Sequence, residues 1–262
     1  MKYKLCKSTM VISIIFLSIL FSSASAQQKQ GELTDDQKLI ASSWFHYGMG
    51  NGLLNEGQFD LAIFHLTKAI EINPSYYEAY LSRAWAHMHK YQFDEAISDY
   101  SKALEMNPRD FKVYIGRGRG YYQKGQYDQA ISDCNKAIEI NPKYAWAYYT
   151  RGMTYTNKGQ YDQAMTDFNK AIEIEPNNEF FYSNRGTAYM NKGQYDQAMA
   201  DFDKVIEIDP KFAMAYSNRG RAYYLKGEYD KSWEDFKKAQ NLGYPIPPEF
   251  LVDLRKASGR EK

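Results

Sequence analysis

The sequence predicts an all-α solenoid of six helix pairs closed by a short C-terminal helix. Three observations carry this. Five of the eight prolines, Pro74, Pro108, Pro142, Pro176 and Pro210, recur at intervals of 34 residues. Small residues recur in the same register, and every repeat but the second is divided by a glycine followed three residues later by an aspartate. Self-similarity at such a period marks a stack of supersecondary units.

The first 26 residues read as a secretory signal. Lys2, Lys4 and Lys7 precede an apolar run from Met10 to Phe21, and Ala24-Ser25-Ala26 offers a small–x–small cleavage site before Gln27. A bilayer span needs roughly 20 apolar residues, so a cleaved signal is the expectation and an uncleaved membrane anchor is the alternative. Residues 27–42 open as a polar segment leading into the first helix, and Thr34 with Gln37 forms a capping-box pattern that starts this helix near Asp35. The net charge of +1 removes a global field that would recruit nucleic acid. Cys6 and Cys134 are the only cysteines, too few for a disulfide framework.

With the recurring proline at position 32, the repeats span 43–76, 77–110, 111–144, 145–178, 179–212 and 213–244. Position 8 is glycine or alanine throughout, position 20 is alanine until Ser232, and position 27 is alanine except at Val205. Small residues at these spacings let two helices approach while larger neighbours fill the gaps. Glycine at position 15 (Gly57, Gly125, Gly159, Gly193, Gly227) stops the first helix, although Tyr91 stands there in the second repeat. Aspartate at position 18 (Asp60 to Asp230) opens the second helix, by capping its amides or meeting its positive end. Beyond repeat six, Pro245, Pro247 and Pro248 break the register, and Glu249–Ala257 places Phe250, Leu251 and Leu254 on one helical face. A solenoid end needs a lid with one apolar side, so residues 245–262 are expected to cap the array.

In length, small residues and terminal proline the pattern resembles the tetratricopeptide repeat (TPR) family, over residues 43–244. The resemblance implies a right-handed superhelical solenoid whose first helices line a concave, ligand-binding face through positions 2, 5, 6, 9, 12 and 13. In this chain that face includes Trp44, Tyr47, Trp85, Arg119, Tyr122, Trp146, Tyr149, Phe180, Asn184, Asn218, Arg221 and Tyr224. Exposed aromatics interspersed with arginine have the chemistry of binding hot spots. Chaperone-binding members of the family use a lysine at position 5, which no repeat here carries. Members with an asparagine ladder use position 6, matched here only by Asn184 and Asn218.

Position 7 is Arg83, Arg117, Arg151, Arg185 and Arg219, and position 23 is Asp99, Asp133, Asp167, Asp201 and Asp235. The first repeat lacks both members together, with Met49 and His65. The joint change predicts an ion pair between the two helices of each of repeats two to six, in place of an anion-binding ladder. His87 and His89 face apart on one helix, and His46 and His65 lack a cysteine or carboxylate motif at ligand spacing, so no metal site is expected. Cys134 occupies a core position, where a thiol is inert. Phosphate loops, serine elbows and paired carboxylates do not occur, so neither catalysis nor a cofactor is expected. The sequence therefore points to an exported, non-enzymatic adaptor that binds protein or peptide segments in its concave groove, with membrane contact only through an uncleaved N-terminal run. The alternative is a self-associating scaffold in cell-envelope assembly or secretion.

Overall fold

The computed structural model describes residues 34–259, and among these every regular element is an α-helix. The expected signal over residues 1–26 lies outside the described residues. The chain forms two compact bodies divided between Gly125 and Gln126, inside the third repeat. The N-terminal body holds α1 (Asp35–Asn55), α2 (Phe59–Ile72), α3 (Tyr77–His89), α4 (Phe93–Met106) and α5 (Phe111–Gln123). The C-terminal body holds α6 (Tyr127–Ile140), α7 (Ala145–Asn157), α8 (Tyr161–Ile174), α9 (Glu179–Asn191), α10 (Tyr195–Ile208), α11 (Ala213–Leu225), α12 (Tyr229–Asn241) and α13 (Pro248–Ala257). Within each body consecutive helices pack antiparallel as pairs, and each pair packs on the next.

Local chemistry explains where the helices begin and end. The Thr34 side chain accepts from the Gln37 amide at 3.3 Å while Gln37 Oε1 accepts from the Thr34 amide at 2.9 Å, which closes the capping box of α1. The first helix of a repeat ends on a residue in the left-handed region. At Gly159, φ is 75°, and the following amide of Gln160 reaches back to Tyr155 O at 2.9 Å. Repeat two builds the same stop with Tyr91 at φ 59°, where the amide of Gln92 reaches His87 O at 2.9 Å. A side chain there is strained, because its Cβ crowds the following carbonyl.

Small residues then set how closely the two helices meet. A Cβ added to Gly152 would sit 2.8 Å from the Phe168 ring, and one added to Gly186 would sit 2.8 Å from Phe202. Both rings are fully buried and cannot yield. Repeat two has Ala84 at this position, and its corresponding ring, Tyr100, lies against Gly116 of the next repeat instead. Ser232, standing where the other repeats have alanine, is fully buried and donates to the carbonyl of Gly220 at 2.8 Å.

Four of the arginines at position 7 hold three helices each. In Arg83, Arg151, Arg185 and Arg219 the Nε donates to the position-23 aspartate of the same repeat at 2.8–2.9 Å, and Nη2 donates to its other oxygen at 2.6–2.7 Å. The remaining Nη1 crosses to position 25 of the preceding repeat: to Thr67 at 3.0 Å, Ser101 (from Arg117) at 3.1 Å, Asn135 at 2.6 Å and Asn169 at 2.5 Å. Arg219 reaches Asp203 in the same way. A tyrosine at position 4 lies beside each guanidinium, with ring centroids 5.4–5.7 Å away. Asp133 is buried on α6 of the C-terminal body. Burial lifts the carboxyls of Asp167 and Asp201 above the usual carboxylate range, and the hydrogen bonds from Arg151 and Arg185 pull them part of the way back.

The aspartates at position 18 correct the sequence expectation in one respect. They stand in the first turn of each second helix, where their charge suits the helix dipole, but none of these helices has a side-chain cap. Five of them instead accept from a lysine at position 14 of the following repeat. Lys158 reaches Asp128 at 2.6 Å and Lys226 reaches Asp196 at 2.5 Å, and the same pair is made by Lys90 with Asp60, Lys124 with Asp94 and Lys192 with Asp162. These aspartates are 75–86% exposed, so water and salt screen each pair and it contributes little to stability.

The C-terminal end is closed by α13. Leu254 is fully buried, and the Phe250 ring lies 5.0 Å from Phe236 and 5.0 Å from Tyr224. Trp233 Nε1 donates to Ser258 Oγ at 3.3 Å, which ties the end of α13 back to α12.

Two stability predictions follow from the helix pairs and their stops. Arg185→Ala strands a buried carboxylate and is expected to lower the unfolding free energy by about 3 kcal/mol. In a denaturant titration, Arg185→Met combined with Asp201→Leu should lose less than half of that; an equal loss in both variants would contradict the pairing energetics. Tyr91→Gly should raise stability by about 1 kcal/mol through relief of the left-handed strain, read as a higher thermal midpoint.

Candidate functional site

The residues expected on the ligand face belong to first helices, and each body places its own set. In the N-terminal body, α1 and α3 lie side by side and leave a shallow cleft of about 350 Å3. Its walls are Asn51, Leu54 and Asn55 from α1, and Leu81, Ser82 and Trp85 from α3. These six stand at positions 5, 6, 9, 12 and 13 of their repeats. Trp85 is 42% exposed, with its ring against His89 at 3.7 Å and Phe59 at 5.9 Å. The His89 imidazole bonds the Trp85 carbonyl at 2.9 Å, one turn back on the helix. The indole is therefore propped from behind while one face stays open.

Trp44 is 62% exposed near the start of the same face and lies 6.3 Å from Tyr76. Tyr47 is half-buried, its ring 4.8 Å from Tyr76. Burial pushes the Tyr76 phenol up to about 12, so it stays protonated beneath both rings. Arg119 on α5 is exposed, and Tyr122, one turn further along, is half-buried.

In the C-terminal body an aromatic cluster joins α7 to α9. The Trp146 ring lies 5.2 Å from Tyr149, 6.4 Å from Phe180 and 5.3 Å from Phe181. Phe180 is 42% exposed and Phe181 is fully buried, so the second ring anchors the cluster and the first presents it. Asn184 donates to the Tyr149 hydroxyl at 3.0 Å and to the Phe180 carbonyl at 2.9 Å. Its amide nitrogen is thus engaged within the protein. Asn218 is half-buried on α11 and Arg221 is exposed. Tyr224 stands apart from the other eleven residues, because its ring packs between Tyr229 and Phe250 under the cap.

Groups able to carry chemistry are quiet. Cys134 is fully buried, and burial pushes its thiol up to about 12. His87 bonds Gln92 at 2.9 Å and lies 4.0 Å from Asp99. Among the described residues no group of three or more His, Cys, Asp or Glu could hold a metal ion. Of the six lining residues only Trp85 belongs to the set expected from the sequence; Asn51, Leu54, Asn55, Leu81 and Ser82 also stand at ligand positions of the repeat but carry neither an aromatic nor a basic side chain to single them out. Phe181, whose position-3 side chain supports the exposed face from below, is outside that set as well.

Stacked helix pairs of 34 residues with a lined first-helix face define a helical-repeat protein. Family profiles described as "Tetratricopeptide repeat" match residues 43–76, 77–110, 145–178, 168–200 and 213–242, and one described as "TPR repeat" matches 118–159 and 186–227. The chain belongs to the tetratricopeptide repeat family. No curated protein matches it in sequence. Among solved structures it is similar to a tetratricopeptide repeat protein from Parabacteroides merdae, at 24% identity over 96% of this chain and 98% of the other, with a TM-score of 0.68. It is similar to MamA at 28% identity, over 66% of this chain and 94% of that protein, with a TM-score of 0.58. It is also similar to YrrB, described as a TPR protein with an unusual peptide-binding site, at 28% identity over 68% and 91% of the two chains, with a TM-score of 0.52.

Proposed function

We propose that this protein is an exported, non-enzymatic adaptor that binds peptide segments of partner proteins on its first-helix faces. The single observation that carries the reading is the cleft between α1 and α3, whose six lining residues all stand at ligand positions of the repeat and include the propped, half-open Trp85. The likeness to YrrB supports a peptide as the ligand class. The open indole suits an apolar side chain, and the amides of Asn51 and Asn55 can bond a peptide backbone laid across them. Exposed Arg119 favours acidic residues in a segment bound on the N-terminal body, and exposed Arg221 does so separately on the C-terminal body. Export rests on the lysine-led apolar run and the Ala24-Ser25-Ala26 site. Among the described residues no helix is long and apolar enough to cross a membrane.

An array of extended peptides, apolar side chains alternating with acidic or neutral ones, should give binding that Trp85→Ala weakens about tenfold, or ~1.4 kcal/mol. Arg119→Ala should selectively weaken the acidic members. A correctly folded Trp85→Ala/Arg119→Ala variant that keeps every affinity would rule out this face as the site. Export is checked separately by mass spectrometry of the protein made in bacteria, which should find an N-terminus at Gln27 in the periplasmic fraction; a chain retaining residues 1–26 would mean that the site is not cut.

A further inference from the structure

The first repeat breaks the pattern of the other five on a surface that is not the ligand face. At position 19 it has Leu61, where the others have Glu95, Gln129, Gln163, Gln197 and Lys231; at position 22 it has Phe64, against Ser98, Ser132, Thr166, Ala200 and Glu234. Leu61 and Phe64 are 53% and 55% exposed. The five other repeats fold with polar or small residues at these two positions, so packing within a repeat does not require the apolar ones.

The same surface continues onto α1. In repeats two to six position 3 is buried, and where its cluster is resolved it packs on the second helix of the repeat before, as Ala79, Val113 and Phe181 do. In the first repeat this position is Phe45, 55% exposed, with Met49 one turn on at 41%. A row of ring contacts makes the patch continuous across both helices: Phe45 to His46 at 5.6 Å, His46 to His65 at 5.2 Å, and His65 to Phe64 at 5.4 Å. The two imidazoles share an Nδ1···Nδ1 hydrogen bond at 2.9 Å. Burial first, then His65 and Lys68, hold His46 below the ordinary imidazole range, so it is neutral near pH 7. Lys68 is itself engaged by Glu71 at 2.6 Å. This face holds no Lys, Arg, Asp or Glu, and Met49 and His65 stand in it where the other repeats carry the arginine–aspartate pair.

We infer that this face, formed by Phe45, His46, Met49, Leu61, Phe64 and His65, is the contact between two copies of this chain, joined first repeat to first repeat. Two features select that occupant. A head-to-tail stack would need a free C-terminal end to seat on the face, and that end is closed by α13, with Leu254 fully buried against its own chain. A closed pair instead sets the face against its own copy, which requires complementarity of a surface with itself. A row of rings and apolar side chains with no Lys, Arg, Asp or Glu meets this requirement, whereas the arginine and aspartate of the later repeats would need an opposite charge across the contact.

Sedimentation velocity on the full chain, from low micromolar to several hundred micromolar, tests the pairing. The expected result is a concentration-dependent dimer that Leu61→Gln/Phe64→Ser weakens roughly a hundredfold, with helical circular dichroism and thermal midpoint retained because both new residues are those the other repeats use. Trp85→Ala should leave the dimer intact, so failure of this inference and failure of the peptide reading can be told apart. A wild-type protein that stays monomeric throughout, or a double variant that dimerises as tightly as wild type, overturns it.

Discussion

A guanidinium that must satisfy its donors inside a helix stack is the constraint on which the rest of the structure depends. The aspartate at position 23 is almost completely buried, and a carboxylate there is tolerable only if a fixed partner meets both oxygens. Arginine does this with two of its nitrogens and still has a third directed at the repeat before. Arg83, Arg151, Arg185 and Arg219 therefore each set the spacing within their own helix pair and the seating of that pair on the repeat before. The flanking tyrosines follow from the same need, since a flat cation between helices is best covered by aromatic faces. Much of the chain's unusual tyrosine content, 24 residues, is spent around this clip. Stability is then carried by nearest-neighbour contacts repeated along the chain.

The helix boundaries were legible because each is set by a residue and its immediate neighbours. Thr34 with Gln37 starts α1, and Gly159 ends α7, by bonds spanning only a few residues. Side-chain partners were harder for a reason particular to repeats. In a periodic chain a pairing can be read only up to a whole number of periods, because position 18 relates equally to position 14 of its own repeat and of the next. The end of the array breaks the degeneracy. Met49 and His65 change together, which marks the arginine–aspartate pair as lying within one repeat. Glu56 replaces lysine while Asp60 is kept, which marks the lysine–aspartate pair as running forward, from Asp60 to Lys90.

The ligand face was legible in position and less so in exposure. Whether a ring at a given position meets solvent depends on the helix that follows, which period alone does not reveal. Trp85 keeps an open face because His89 and Phe59 stand behind it rather than above it. Tyr224 occupies the last first helix, and α13 begins where a seventh repeat would, with Phe250 against the ring. Asn184 illustrates a further limit: its position fits a backbone-gripping ladder, yet its amide is turned to Tyr149 and Phe180.

The two ends of the array resolve the same physical problem in opposite ways. Any terminal repeat exposes a surface that an interior repeat would bury, and a protein can cover it or make it polar. At the C-terminus the chain covers it, spending a ten-residue helix with Leu254 driven into the gap. At the N-terminus α1 is extended to 21 residues, yet Phe45 remains open and the polar positions beside it are exchanged for Leu61 and Phe64. An end that only needed protection would have moved toward charge there, as Glu234 has at the other extreme of the array. Losing the arginine clip, pairing two histidines in its place and adding apolar side chains on an exposed helix all act in one direction, and together they turn the missing neighbour into a place for another chain.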